Sequence, residues 1–365
     1  MRLALVLAAG LVLAPLAVPA HALASDLAPG RHSLRGEKIQ ICNAIGAAKL
    51  VPTDGSDVIV EVTTRGADGA KLRVEIDDCN GSKRFRVVYP SNRIVDPEMG
   101  EHDRRETTLD GCCGPERIRY TRPGDGLDAR ADLVIRVPKG QEVTLGLGAG
   151  SVTAEKLDAK LGIDTGSAPV AVTGMTGSLA IESGSGGATV EHFTGTLAID
   201  SGSGALAIER FQGTLAVDCG SGGVTLSRIR GDKIAIDSGS GGVTGEDIVA
   251  RVVVIETGSG GIVLAELNAK EVVLDNGSGS VRADLAQSPG SLRIDSGSGN
   301  VVLTAARDLD AKLQIHCSKR RLHLGLPVQA SQVGDDYFEG RAGNGTGLIV
   351  IESGSGNVSL KARAD

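Results

Sequence analysis

A six-residue pattern, apolar-acidic-Ser-Gly-Ser-Gly, recurs along most of this chain and restricts its possible folds more than any other feature. Clean copies are Ile181-Glu-Ser-Gly-Ser-Gly186, Ile199-Asp-Ser-Gly-Ser-Gly204, Ile236-Asp-Ser-Gly-Ser-Gly241 and Ile294-Asp-Ser-Gly-Ser-Gly299. Close variants carry Cys219, Thr257 or Asn276 at the third position, and weaker copies open the series at Leu145 and Ile163. From 147 to 317 the third residue of each turn recurs at steps of 18, 18, 18, 18, 19, 19, 19, 20 and 21. Periodicity of this kind marks stacked supersecondary units, none of which can bury its apolar face alone. The last of these turns is the degenerate Ile315-His-Cys-Ser-Lys-Arg320. A clean turn returns at Ile351-Glu-Ser-Gly-Ser-Gly356, which the chain order makes the final coil.

Within a unit, apolar residues alternate on both sides of the turn. Leu179 and Ile181 lead into it, Ala188 and Val190 lead out, and Phe193 supplies a third inward position. Period-two alternation around a Gly-rich corner predicts short strands with one buried face. Glycine at the corner suits positive φ and close approach of neighbouring coils. The fold class expected is all-β, a single-stranded β-solenoid of about ten coils of 18–21 residues. At a strand spacing of about 4.8 Å, ten coils make a rod roughly 45–50 Å long. The composition agrees, with 52 glycines, no tryptophan, three tyrosines and four phenylalanines. A narrow aliphatic core needs no large aromatics.

Three segments follow from this reading. Residues 1–24 form a signal peptide: Arg2, an apolar run to Val18, and the small-x-small site Ala22-Leu23-Ala24. Residues 25–140 lack the corner but show strands at Ile39–Cys42, Val58–Thr63, Leu72–Ile76, Phe85–Tyr89 and Asp132–Val137, and are expected to begin and cap the solenoid as an irregular β region. Residues 141–365 hold the repeat, interrupted at 327–347 by a loop carrying Asp335-Asp336 and Tyr337-Phe338. No later stretch is long and apolar enough to span a bilayer, so export to the periplasm is expected, with the cell surface or medium as other destinations.

The segment Leu133-Val-Ile-Arg-Val-Pro-Lys-Gly140, the Ser-Gly-Ser-Gly turns and the late Thr346-Gly-Leu-Ile-Val-Ile-Glu-Ser-Gly-Ser-Gly356 carry a resemblance. Over roughly residues 36–365 the chain resembles the bacterial putative-adhesin β-solenoid family, a domain family of unknown biochemical function. The resemblance implies a right-handed β-helix. The Cys112-Cys113 segment departs from its pattern.

The regular chemical feature is an acidic ladder of Asp164, Glu182, Asp200, Asp218, Asp237, Glu256, Asp275 and Asp295, with Glu352 after the interruption. Alternation with buried residues points these side chains outward. Like charges about 4.8 Å apart repel by roughly 1 kcal/mol in water-like surroundings. The ladder reads as a solubilising edge that discourages lateral pairing, or as a cation-binding stripe. No other metal site, cofactor or catalytic residue is expected. His32, His102, His192, His316 and His323 are scattered, and no lysine or helix follows the Gly-Ser turns as phosphate binding would require. Lys319-Arg320-Arg321 is a basic patch in the degenerate turn.

After signal removal 37 basic side chains face 45 acidic ones, which disfavours nucleic acid. The expected function is a non-catalytic envelope protein, adhesin-like or structural, with an envelope or surface ligand of unknown identity. The rival is a polysaccharide-active β-helix enzyme, a lyase or hydrolase. It would need a singular site and aromatic subsites, and a monotonous acidic stripe offers neither. Among the six cysteines, Cys219 and Cys317 share a turn position five coils apart, about 24 Å, beyond bridging reach. Cys42 and Cys79, on neighbouring early strands, are the expected disulfide, and Cys112 and Cys113 are left as a vicinal bridge or thiols.

Overall fold

The sequence step becomes a parallel hydrogen-bonded ladder. In the computed structural model, which describes residues 25–99, 105–109 and 116–363, each coil lies in register on the next. Leu179 pairs with Leu197, Ile181 with Ile199 and Glu182 with Asp200. One coil on, Val217 pairs with Ile236 and Asp218 with Asp237. A second face repeats the arrangement through Val190, Ile208 and Leu226. The protein is therefore all-β and β-solenoid-like. Its inward columns of Leu, Ile and Val merge into one apolar core that runs from Leu34 to Leu360. Each large aliphatic side chain taken out of water contributes about 1.5–3 kcal/mol. Phe193 and Phe211 fill the third inward position of adjacent coils, ring over ring at 5.8 Å.

The corner glycines serve contact rather than φ. A Cβ on Gly220 would lie 2.5 Å from the carbonyl oxygen of Gly202, and one on Gly239 2.5 Å from that of Gly220. No real side chain tolerates such approach to backbone. The expectation of positive φ at this corner is not met. Left-handed φ appears instead at Lys156, His192, Arg210, Arg228, Asp247 and Glu266, the turn that follows the second face. The first residue of each Ser-Gly-Ser-Gly turn faces inward. Its side chain donates to the carbonyl three residues later, as in Ser183 to Gly186 at 2.7 Å and Ser238 to Gly241 at 2.8 Å. The same bond is made by Ser201, Cys219, Thr257, Ser296 and Ser353, whereas Asn276 donates to the Gly260 carbonyl of the neighbouring coil.

Stacking order differs from chain order at the C-terminal end. Strand Gly347–Ser353 inserts between Ser291–Ser296 and Ala311–His316, and Val358–Ala362 between Val301–Ala305 and Leu322–Gly325. The clean turn at 351–356 is an interior coil, and the expectation that it ends the stack with one neighbour missing is corrected. The terminal position belongs to the degenerate coil of Ile315–Arg320. That corner does not repeat the close backbone contact: it turns off as the 3-10 turn Lys319–Arg321, with the Lys319 amide donating to the Asp335 carbonyl, so glycine is not required. Residues 327–347 are not a free loop. Gln329–Val333 and Tyr337–Ala342 form an antiparallel hairpin, and Tyr337–Ala342 pairs with Ala311–His316 to cover the open edge.

At the other end, Lys38–Thr53 pairs in parallel with Glu142–Glu155. Antiparallel pairs cover its far side: Val58–Arg65 with Arg130–Pro138, and Arg73–Cys79 with Ser82–Val88. All five early strands expected from the sequence fall on these elements, with Leu72 and Tyr89 each one residue outside. A separate three-stranded sheet of Arg93–Val95, Arg105–Leu109 and Glu116–Thr121 packs on this region through Ile94, Leu109, Ile118 and Tyr120. The Tyr120 hydroxyl anchors it by donating to the Ala44 carbonyl at 2.8 Å.

Cys42 and Cys79 are both disulfide-bonded, but the register rules out a bond between them. Cys42 lies opposite Arg86, whereas Cys79 lies opposite Ser82 one strand further out. Four residues along and two strands across separate their Cα atoms by about 16 Å, against a bridging limit near 7 Å. The strands are near neighbours, as expected, but the residues sit at opposite ends of them. The expectation for Cys112 and Cys113 lies outside the described residues. Cys219 and Cys317 are free, and burial pushes both thiols upward in pKa.

Two measurements check this architecture. Gly220→Val and Gly354→Val should lower Tm comparably, since each glycine has a coil on both sides, while Ser318→Val in the end coil should cost less than about 1 kcal/mol. A mild Gly354→Val would sink the inserted-coil order. Non-reducing peptide mapping should recover Cys219 and Cys317 as thiols, slow to alkylate in the native rod, and no Cys42–Cys79 peptide.

Candidate functional site

Outward side chains two residues apart share one face of a strand, so the parallel register lines them up in columns. On the first face the central column runs Gly162, Ala180, Ala198, Ala216, Ala235, Val254. On one side of it stand Asp164, Glu182, Asp200, Asp218, Asp237 and Glu256; on the other, Ser178, Thr196 and Thr214. The small central residues leave a shallow groove of about 350 Å³ between Ala180 and Glu256. One wall is carboxylate and the floor is methyl.

The ladder therefore stands where the sequence places it, in one register column that continues through Asp275, Asp295 and Glu352. Its last rungs are bridged internally. Arg293 donates to Glu352 at 2.9 and 3.0 Å and to Asp295 at 3.3 Å, and the Glu352 carboxylate foremost raises the guanidinium pKa. Among the described residues, no group of three or more His, Cys, Asp or Glu is arranged to hold a metal ion. The inward hydroxyl column was not read from the sequence as a functional element of the turn. The signal was present: Ser, Thr, Cys and Asn at that position are all small and polar.

The described histidines do not converge. His32 tilts against Phe85, His192 meets Arg210 at 3.1 Å, and His316 packs on Tyr337 at 4.8 Å, while His102 lies outside the described residues. Phe338 is buried against the end coil and the Tyr337 hydroxyl donates to Glu339 at 3.0 Å, so the aromatic pair serves the cap. In the basic turn, Arg321 donates to the Ser355 carbonyl and ties the end coil to its neighbour.

A second concavity, of about 530 Å³, lies where the three-stranded sheet overhangs the first coils. Arg65, Arg130 and Asp132 face it from the antiparallel pair; Asp96 and Arg105 face it from the small sheet. No sequence signal marked it, because its parts come from well-separated stretches of chain.

A family model described as Toastrack DUF4097, a domain of unknown function, matches residues 129–361. The chain belongs to this family. The matched part of this Toastrack chain contains every Ser-Gly-Ser-Gly turn, and the resemblance drawn from those turns is borne out. A solved structure described as a putative cell adhesion protein from Clostridium sporogenes has 9% identity, covers 92% of this chain and 100% of its own, and gives a TM-score of 0.23. That score supports no inference from one chain to the other. No curated protein matches the chain.

Asp200→Asn/Asp218→Asn/Asp237→Asn should raise the Tm of this Toastrack chain at low salt, each relieved contact contributing up to about 1 kcal/mol, and the gain should shrink as sodium chloride rises. Millimolar calcium should do no more than matched ionic strength. A calcium-specific Tm rise that disappears in the triple variant would instead establish a cation stripe.

Proposed function

We propose that this protein is an exported, non-catalytic binding or scaffolding element of the cell envelope. In this reading it is a right-handed stack of about ten coils presenting a repeated surface. The observation that supports the reading is the column register of the first face. From Ala180 to Asp237 each rung offers the same alanine methyl floor and the same carboxylate wall. Catalysis requires one position unlike its neighbours, whereas a repeated surface suits an extended or repeated partner, or a rigid spacer.

Export rests on the segment 1–24, which lies outside the described residues, and no helix among the described residues is long and apolar enough to cross a membrane. Fractionation of the tagged full chain should place it, lacking residues 1–24, in the periplasm, the outer membrane or the medium. Recovery of the full-length chain in the cytoplasm would refute the reading. Turnover of any acidic or neutral polysaccharide by the purified protein, lost on substitution of a single carboxylate, would convert it to the rival enzyme.

A further inference from the structure

The concavity under the three-stranded sheet holds a charge arrangement that the fold alone does not explain. Arg65 and Arg130 are directly opposite each other on the antiparallel pair, so two guanidinium side chains leave the same face side by side. Like charges in this relation destabilise a sheet. One carboxylate, Asp132, lies beside them, and both its oxygens are engaged elsewhere: one accepts from Arg65, the other from the Ala47 amide at 3.0 Å. Arg130, half-buried, has no ion-pair or hydrogen-bond partner among the described residues. Across the cavity, Arg105 is held by Asp96 at 3.3 Å and Ser167 at 3.1 Å. Asp96 is only 5% exposed, and its other oxygen accepts from the Glu98 amide at 3.1 Å. Asp132 and Asp96 each engage one arginine; the third lining carboxylate, Glu98, is exposed on the rim, and Arg130 is left without a partner among the described residues.

We propose that this pocket binds a sugar carboxylate, a ligand of the hexuronate class with one carboxylate, several hydroxyls and an apolar ring face. The planar guanidinium of Arg130 matches a carboxylate in two parallel hydrogen bonds, with Arg65 adding positive potential beside it. Ser151, Ser167 and Glu98 on the lining supply partners for hydroxyls. Ile45, Pro97 and Pro169 give the walls apolar surface, so a ring can be held without an aromatic platform. Glycines 46 and 150 form part of the floor, where a Cβ would run into the backbone of the neighbouring segment, so the floor is fixed. At about 530 Å³ the cavity is in the usual range for small-molecule sites. The assignment goes beyond the reading above: it does not depend on the acidic face or on where the protein resides.

Calorimetry or ligand-observed NMR on the full mature chain tests it, with D-galacturonate as probe and D-galactose and acetate as controls. Galacturonate should bind saturably in the millimolar range, and galactose and acetate each about tenfold or more weaker, since each offers half of the recognised chemistry. Arg130→Gln should weaken galacturonate about tenfold, with part of the loss recovered in Arg130→Lys. Pro97→Glu, on the exposed wall, adds a repelling carboxylate without touching the core and should also weaken it, more at low salt. The proposal fails if the unaltered protein shows no saturable galacturonate binding. It fails equally if acetate or galactose binds as well, or if Arg130→Gln and Pro97→Glu both bind like the parent.

Discussion

Neighbouring coils touch backbone to backbone at the Ser-Gly-Ser-Gly corner, and much of the molecule follows from that contact. A side chain on Gly220 would meet the Gly202 carbonyl, and one on Gly239 the Gly220 carbonyl, so the corner admits only glycine wherever a coil lies beneath. The corner in turn fixes the register of the strands on either side. A one-residue slip would bring every inward Leu and Ile to the surface, so corner and core enforce the same alignment. The inward Ser, Thr or Cys then satisfies a carbonyl that the tight turn would leave buried and unpaired. Contact, register and polar satisfaction thus reside in four consecutive residues.

The ends show what happens when that contact is absent. At the end coil of Ala311–His316 the backbone leaves that contact for the 3-10 turn Lys319–Arg321, and the corner reads Cys-Ser-Lys-Arg. The strand edge it exposes is covered by the hairpin of Gln329–Val333 and Tyr337–Ala342. The chain makes that end coil before it makes the coil beneath it. A terminal unit completed early, with its hairpin attached, leaves the last strands Gly347–Ser353 and Val358–Ala362 to fill a slot with partners on both sides. Strand Val358–Ala362 is held between two neighbours instead of lying on an open edge, where chains fray and associate.

Much of the stack was legible in the sequence because each rule is local. Step length gave the register, alternation gave the inward columns, and the outward acids followed. Chain order could not reveal the inserted final coil. The degenerate turn at Ile315 and the clean turn at Ile351 are consistent with either order, and the choice rests on pairing across tens of residues. The disulfide expectation failed for a related reason. Proximity of two strands was inferred correctly, but the hairpin direction that sends Cys79 to the far end is not written in spacing. The expected φ at the corner failed because glycine answers two different demands: left-handed φ falls in the turn after the second face, at Gly174 and at Lys156, His192 and Arg210.

A periodic scaffold separates two kinds of surface. Along the first face every rung repeats the last, so affinity for any partner grows by repetition, and no single residue is decisive. A site that discriminates one small ligand needs several different groups at fixed distances, and identical rungs cannot supply them. It can arise only where the repeat is interrupted. In this chain the junction with the three-stranded sheet is such a place, because residues from Arg65, Asp96, Arg105, Arg130 and Ser167 reach it from five separate stretches of chain. The rigid first coils hold Arg65 and Arg130 on paired strands, and the overhanging sheet brings Arg105 to the opposite wall. The stack itself contributes rigidity, which lets a non-repeating pocket keep its geometry at one end of a repeating rod.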